Sequence, residues 1–525
     1  MASAITMDIN LKRTVNSKVF RHLVFWIAIL GLSYIYNYHE TIQYRPTSMH
    51  QWRNSVSASI ALNYAHEGEF FHPRTHNMQV DDFTSDITIT EFPIIYYAVG
   101  MLYRLFGFHE WIFKLVQILI GYAGLFCLFR LGLRTFKNLI YALFLPIFIF
   151  TSPIFIYYLN NFIPDATSLA LAIIGFYYFS RFYKDRQHRH FLISMLVFGL
   201  AGLIKTPAML LFFAISGIYM LEWLFNMRFK SEGRIFFNPG RQVAIAFGVF
   251  LLVVAWYVYA KIYTDIHGGV VSLVEIRPIW ILSKETIQIT MDKVQMRFWR
   301  GQYHSPVLLI LTLVLLIHNI ISWKKHNRLY SWLIILTLIG GIIFSLLFFR
   351  SLRNHDYYQL NNLIVPLLIM FNFMIYLSEH YAKIFNSWIT KVAFALFALY
   401  MAHSAQKLIN NHYYNGWYEN YARTHYNKLY NDITPELRSL GIDRYDKVYC
   451  TPDNSINISL YLMDQKGFTD FFRSKYPFSD KLELLGQHGL EYVIVGDRSV
   501  MDISPEEAGL KQIGEHNGAT IYSLD

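Results

Sequence analysis

Glu91, Asp165 and the pair His355-Asp356 are the groups best placed to do chemistry, because each stands where an apolar stretch begins or ends. A positioned carboxylate or imidazole can take a proton from a hydroxyl. Glu91 opens the run Glu91-Phe92-Pro93; its plainer role is a charge complementing a helix N-terminus, worth about 0.3–1 kcal/mol. Asp165 follows Asn160, Asn161 and Pro164 at the end of an apolar run. Charges at that depth tend to be functional, although an aspartate there would also cap the next helix. Arg350 and Arg353 precede His355, Asp356 and Tyr357, and guanidinium groups match phosphate oxygens in pairs. The plainer reading is an aromatic and basic belt at a membrane surface. Arg53, Arg74 and Lys205 are further candidates for the same anion. Lys205 interrupts an apolar hairpin, where an ammonium is costly unless it faces a polar cavity. Asp81, Asp82, Asp86 and His50 read first as solvated loop groups, and Arg297 and Arg300 as surface charge.

The elements that must position these groups are membrane helices. The chain is 54% hydrophobic, 18% aromatic and only 16% charged, with a mean hydropathy of +0.28; soluble domains carry about 25% charged residues. About eleven apolar runs read as long enough to cross a bilayer, which takes about 20 residues, near 22–38, 108–129, 139–158, 166–183, 190–204, 207–226, 243–263, 306–323, 330–350, 360–378 and 387–405. The pair flanking Lys205-Thr206-Pro207 could be one broken helix. Basic residues fall in every second loop, which puts the N-terminus inside and leaves 39–107, 160–167, 265–304, 350–358 and the C-terminal region on the outer side. The net charge of +10 therefore reports topology and not a nucleic-acid face. Cys127 and Cys450 lie in different parts of the chain and should not meet in a disulfide. The first apolar run lacks a cleavage-site pattern and reads as an anchor.

Residues 1–405 thus form a polytopic α-helical domain, and 410–525 read as a small α/β domain with strands near 447–450, 492–496 and 520–524. The outer segment 39–107 is too long and too aromatic for a plain linker. Within it, Gln51–His66 spaces Trp52, Val56, Ile60 and Asn63 as an amphipathic helix expected to lie along the membrane surface. Phe92–Phe106 is apolar but short, and reads as a re-entrant or interfacial helix.

The sequence carries no P-loop, no GxGxxG, no HExxH, no cysteine-rich metal site and no DxD. It does contain Trp52-Arg53, Ala61-Leu62-Asn63-Tyr64, His72-Pro73-Arg74, Glu91-Phe92-Pro93, Phe162-Ile163-Pro164-Asp165 and His355-Asp356-Tyr357-Tyr358. Together these resemble the GT-C membrane glycosyltransferases, and more closely the protein-mannosyltransferase and aminoarabinose-transferase superfamily. The resemblance implies a GT-C fold of about eleven transmembrane helices in a bacterial inner membrane, with the C-terminal domain in the periplasm. It implies a polyprenyl-phosphate sugar donor, a glycan, lipid or protein acceptor, an inverting transfer, and no metal or other cofactor. It makes Glu91 and Asp165 the site carboxylates. Arg53, Arg74, Lys205, Arg350, Arg353, His355, Asp356 and Tyr357 are the residues expected to bind substrate. One departure stands out: the first-loop aspartate that the family uses as base is replaced here by Val56. That substitution suggests an alternative, a non-catalytic lipid- or glycan-binding relative. A lipid-linked-sugar transporter is a further alternative, though the apolar runs are nearly uncharged and show no repeat.

Overall fold

The computed structural model describes residues 17–47, 49–80, 83, 85–230, 233–267, 276–415, 426–471 and 475–524; Asp81 and Asp82 lie outside them. The membrane domain runs through α1 (Lys18–Ile35), α2 (Gln51–His66), α3 (Ile94–Phe106), α4 (Glu110–Phe136), α5 (Leu139–Phe150), α6 (Pro153–Leu159), α7 (Asp165–Asp185) and α8 (His188–Ile204). It continues through α9 (Leu210–Trp223), α10 (Pro239–Ile266), α11 (Lys284–Trp299), α12 (Pro306–Ile321), α13 (Arg328–Leu347), α14 (Ile364–His380) and α15 (Trp388–Asn410). A helix stands at each of the eleven apolar runs. Among the described residues, seven are long and apolar enough to cross a membrane, or eight if the bent pair α5–α6 counts as one span. That pair turns through 73°, because Pro153 cannot donate the amide that would continue α5.

The segments expected on the outer side gather at one end of the bundle. Arg297 of α11 donates to the carbonyl oxygens of Leu352 and, at 3.0 Å, Arg353. Arg297 is therefore a buried clamp and not surface charge. The basic loops gather together elsewhere: Arg134 pairs with Asp185 at 2.6 Å, Arg186 donates to the Arg234 carbonyl, and His380 to that of Lys325.

Helix α2 departs from expectation. It is not an amphipathic helix lying on the membrane, since every residue from Asn54 to Tyr64 is buried. Its apolar stripe has neighbours on both sides. Helix α3 crosses it so closely that a Cβ on Gly100 would stand 2.5 Å from Tyr64 Cβ and 2.8 Å from the Ala61 carbonyl oxygen. The C-terminal domain covers the rest through α16 (Ile458–Met463).

That domain is a five-stranded sheet in the order β2-β1-β3-β5-β4, formed by Gly467–Phe468, Val448–Thr451, Tyr492–Val495, Ala519–Leu524 and Leu510–His516. Strands β2, β1 and β3 are parallel, while β5 and β4 add as an antiparallel edge. Helix α17 (Phe478–Gly486) packs on it. The outer segment extends the β2 edge: Gly467 donates to the His76 carbonyl, and Asn77 pairs with Gly467 in a parallel bridge.

His76 is the centre of this junction. Its Nδ1 accepts from Ser59 at 2.6 Å, its Nε2 donates to Asp464 at 3.0 Å, and Arg444 reaches Asn63 and Asp464 alongside. Burial holds the His76 imidazole down at about 4, against the opposite pull of Asp464. A buried imidazole with a depressed folded-state value stabilises the junction above its ordinary range and loses that contribution as pH falls toward 4. Protection of the amides of residues 75–79, corrected for the intrinsic slowing of exchange in acid, should therefore fall between about pH 6.5 and 4 in the native chain. The step should vanish in His76→Gln.

Candidate functional site

The site begins at a broken helix. Thr206-Pro207 ends α8, because proline has no amide to donate and restricts the residue before it. Lys205 adopts an extended conformation there. The break leaves carbonyl groups of α8 without helical partners. Phe92 N–H takes the Leu203 carbonyl at 3.0 Å, and the Tyr257 hydroxyl donates to Gly202 at 3.1 Å and Leu203 at 3.3 Å. Trp256 donates to the Thr90 carbonyl at 3.2 Å. These bonds tie the Glu91-Phe92-Pro93 turn to the helix break, so Glu91 and Lys205 must meet.

Lys205 Nζ lies 3.8 Å from Glu91 Oε1 and 3.4 Å from Asp165 Oδ2. Glu91 also accepts from the Arg53 guanidinium and from the Tyr96 hydroxyl. Arg53 is held further by Ser57 at 3.0 Å. Burial alone would raise the Glu91 carboxyl, but Arg53 and then Lys205 outweigh it and hold it down at about 2. Glu91 is thus a fixed anion that orients two cations. Asp165 caps no backbone amide, and its Oδ2 has no hydrogen-bond partner despite being buried. It meets Lys205 as an ion pair. A cavity opens over these groups, lined by Glu91, Asp165, Lys205, Tyr257 and Tyr358, with Phe344 of α13 and Phe348 just beyond its end as the apolar wall. Charged groups at one end and aromatic rings along the side suit a molecule with an anionic head and an apolar tail.

Comparison with known proteins gives three findings. Residues 91–256 match the family model of dolichyl-phosphate-mannose-protein mannosyltransferase. No curated protein sequence matches the chain. Among solved structures, ArnT from Cupriavidus metallidurans bound to undecaprenyl phosphate superposes with a TM-score of 0.62 at 10% identity, over 97% of this chain and 99% of that one. The oligosaccharyltransferase of Archaeoglobus fulgidus in its apo form gives a TM-score of 0.56 at 12% identity, over 91% of this chain and 70% of that one. The chain has the GT-C glycosyltransferase fold.

In this GT-C fold the expected residues separate into groups. Glu91, Asp165 and Lys205 converge at the cavity, and Arg53 stands behind them, paired with Glu91. Arg74 does not join them. It is held by Asp86 at 2.8 Å and Glu67 at 3.0 Å, within the junction to the C-terminal domain. Arg350 is exposed on the short helix Phe349–Arg353, and neither it nor Arg353 lines the cavity. Asp356 faces inward, accepting from Tyr158 and Gln302 and lying 3.0 Å from His50 Nε2. A carboxylate so occupied holds protein groups and not a phosphate. Tyr357 bonds to His355 Nδ1 at 3.1 Å. Burial, and then His50, hold the His355 imidazole down at about 4, so it is neutral at physiological pH and cannot offset a phosphate charge.

Several residues of the site carry no signal in sequence. Tyr96 and Ser57 sit one and two turns along their helices and look like ordinary core. Gln302 stands in a loop with nothing around it to mark it.

Proposed function

We propose that this chain is a membrane glycosyltransferase that moves a sugar from a polyprenyl-phosphate carrier to an acceptor. The carrying observation is the buried arrangement of Arg53, Glu91, Lys205 and Asp165 beside an aromatic-walled cavity where the helices end. Undecaprenyl phosphate in the ArnT structure supports that ligand class, as does the family model across residues 91–256. Breaking the bond between the anomeric carbon and the phosphate leaves the electron pair on phosphate oxygen. Cations fixed where that charge develops lower the barrier, and Lys205 and Arg53 are such cations. Glu91 and Asp165 keep both charged and in place; a proton moved onto either would leave two buried cations sharing one carboxylate, which is costly. Asp165 Oδ2, which makes no hydrogen bond beside its ion pair with Lys205, also has a lone pair left for a sugar hydroxyl. The acceptor oxygen attacks from the face opposite the phosphate, which inverts the anomeric centre. The basic loops mark the cytoplasmic end by the positive-inside rule, which supports a site on the outer face; in our reading that face is the periplasmic side of a bacterial inner membrane.

A second reading, a relative that binds without transferring, is favoured by Val56, which is buried in α2 one turn beyond Arg53. One assay separates the two: transfer from polyprenyl-phosphate sugars in proteoliposomes by the native chain, Asp165→Asn and Val56→Asp. Transfer by the native chain, reduced at least about a hundredfold in Asp165→Asn, is the expected outcome. An inert native chain with turnover gained in Val56→Asp would establish the binding reading.

A further inference from the structure

With Glu91 and Asp165 engaged as counter-charges, the acceptor's proton needs another destination. The geometry points to a histidine–carboxylate pair, His50 with Asp356, as the base that takes it; this rests on the transferase reading above. His50 precedes α2 with φ 61 and ψ 32, a left-handed conformation in which it supplies no side-chain cap. A bulky residue other than glycine is uncommon there, and such backbone persists where the surroundings impose it. What imposes it is Asp356. Its side chain is fully buried, and Tyr158 and Gln302 fix it while His50 Nε2 lies 3.0 Å away. A carboxylate accepting from Nε2–H sets the tautomer and leaves Nδ1 with its lone pair. Nδ1 makes no hydrogen bond among the described residues, and the His50 side chain keeps 14% of its exposure.

The pair adjoins the donor site. Arg53 is one turn along the same helix. Tyr357, whose ring is 5.2 Å from that of His50, lies within electrostatic reach of Arg53, Asp165 and Asp356. The other groups facing His50 are His355 beside Tyr357, Tyr158 of α6, and His412 beyond α15. In the step, the acceptor hydroxyl gives its proton to His50 Nδ1 while its oxygen bonds the anomeric carbon. The carbon–phosphate-oxygen bond breaks with its electrons kept by phosphate. Asp356 stabilises the imidazolium, which afterwards loses the proton to water.

The positive φ supplies a clean test, because glycine takes this backbone conformation without penalty. His50→Gly should still fold, because glycine relieves the positive φ and Tyr158 and Gln302 continue to hold Asp356, and it should bind undecaprenyl phosphate as the native chain does. Its turnover should fall at least about a hundredfold, with the donor KM unchanged. Added imidazole should restore transfer, and substituted imidazoles should move the acid limb of the rate–pH profile in step with their own basicity. Asp356→Asn should lower turnover without loss of donor binding. Near-native turnover in His50→Gly, or failure of every imidazole to rescue it, overturns the pair as base while leaving the transferase reading intact. A native chain that transfers no sugar overturns both.

Discussion

Lys205→Met is expected to abolish sugar transfer and to weaken binding of the lipid phosphate. The side chain stands 3.4 Å from Asp165 and 3.8 Å from Glu91, and is the cation shared by both. Methionine keeps the length and the apolar stem but removes the charge, so two buried carboxylates would face one cavity with only Arg53 to offset them. Removing one partner of a buried ion pair costs about 3–5 kcal/mol, and one carboxyl would take up a proton to relieve it. Loss of a fixed donor at a developing oxyanion lowers turnover by about 10²–10³-fold. Two measurements check this: undecaprenyl-phosphate titration followed by thermal shift, and initial rates at saturating donor. A variant that kept native affinity and rate would remove Lys205, and the cavity with it, from the catalytic account.

Gly100→Ala is expected to damage stability and activity together, although Gly100 touches no substrate group. Alanine would normally favour a helix over glycine by about 1 kcal/mol. Here its methyl meets Tyr64 Cβ at 2.5 Å and the Ala61 carbonyl oxygen at 2.8 Å. One of these is backbone, so the two helices must separate. Overpacking of this kind costs about 1–3 kcal/mol. The same separation draws Arg53 on α2 from Glu91 and Tyr96 at the start of α3. Misplacement of catalytic groups by about 1 Å lowers rates by about a hundredfold. A lowered thermal midpoint with a rate loss of that size at permissive temperature is the expected pair of results. A rate loss without a stability change would place Gly100 outside the crossing.

The membrane domain was legible in the sequence because apolar length and the alternation of basic loops are local properties. Glu91, Asp165 and Lys205 were legible for a related reason: an ionisable group beside an apolar run is costly unless something meets it. What met it could not be read. The Glu91–Lys205 contact depends on carbonyl groups released at Thr206-Pro207, and no periodicity reports where such carbonyls find partners. Helix α2 misled for the same reason. Its stripe of Trp52, Val56 and Ile60 describes one face, whereas burial of its polar face by the C-terminal domain is a long-range fact. Asp356 and Arg297 show the converse error, since a charge that looked available for a ligand and one that looked like surface charge are both consumed by the protein.

The parallel bridge between Asn77 and Gly467 has a consequence for biosynthesis. Helix α2, which carries Arg53, is covered on one side by residues that leave the ribosome after every membrane helix. Contacts at that separation close slowly and late. A chain stalled after α15 would hold its helices in the bilayer yet leave α2 uncovered, with Ser59, Asn63 and His76 lacking Asp464 and Arg444. Incomplete products would therefore lack the cover that holds α2, and with it Arg53, in place.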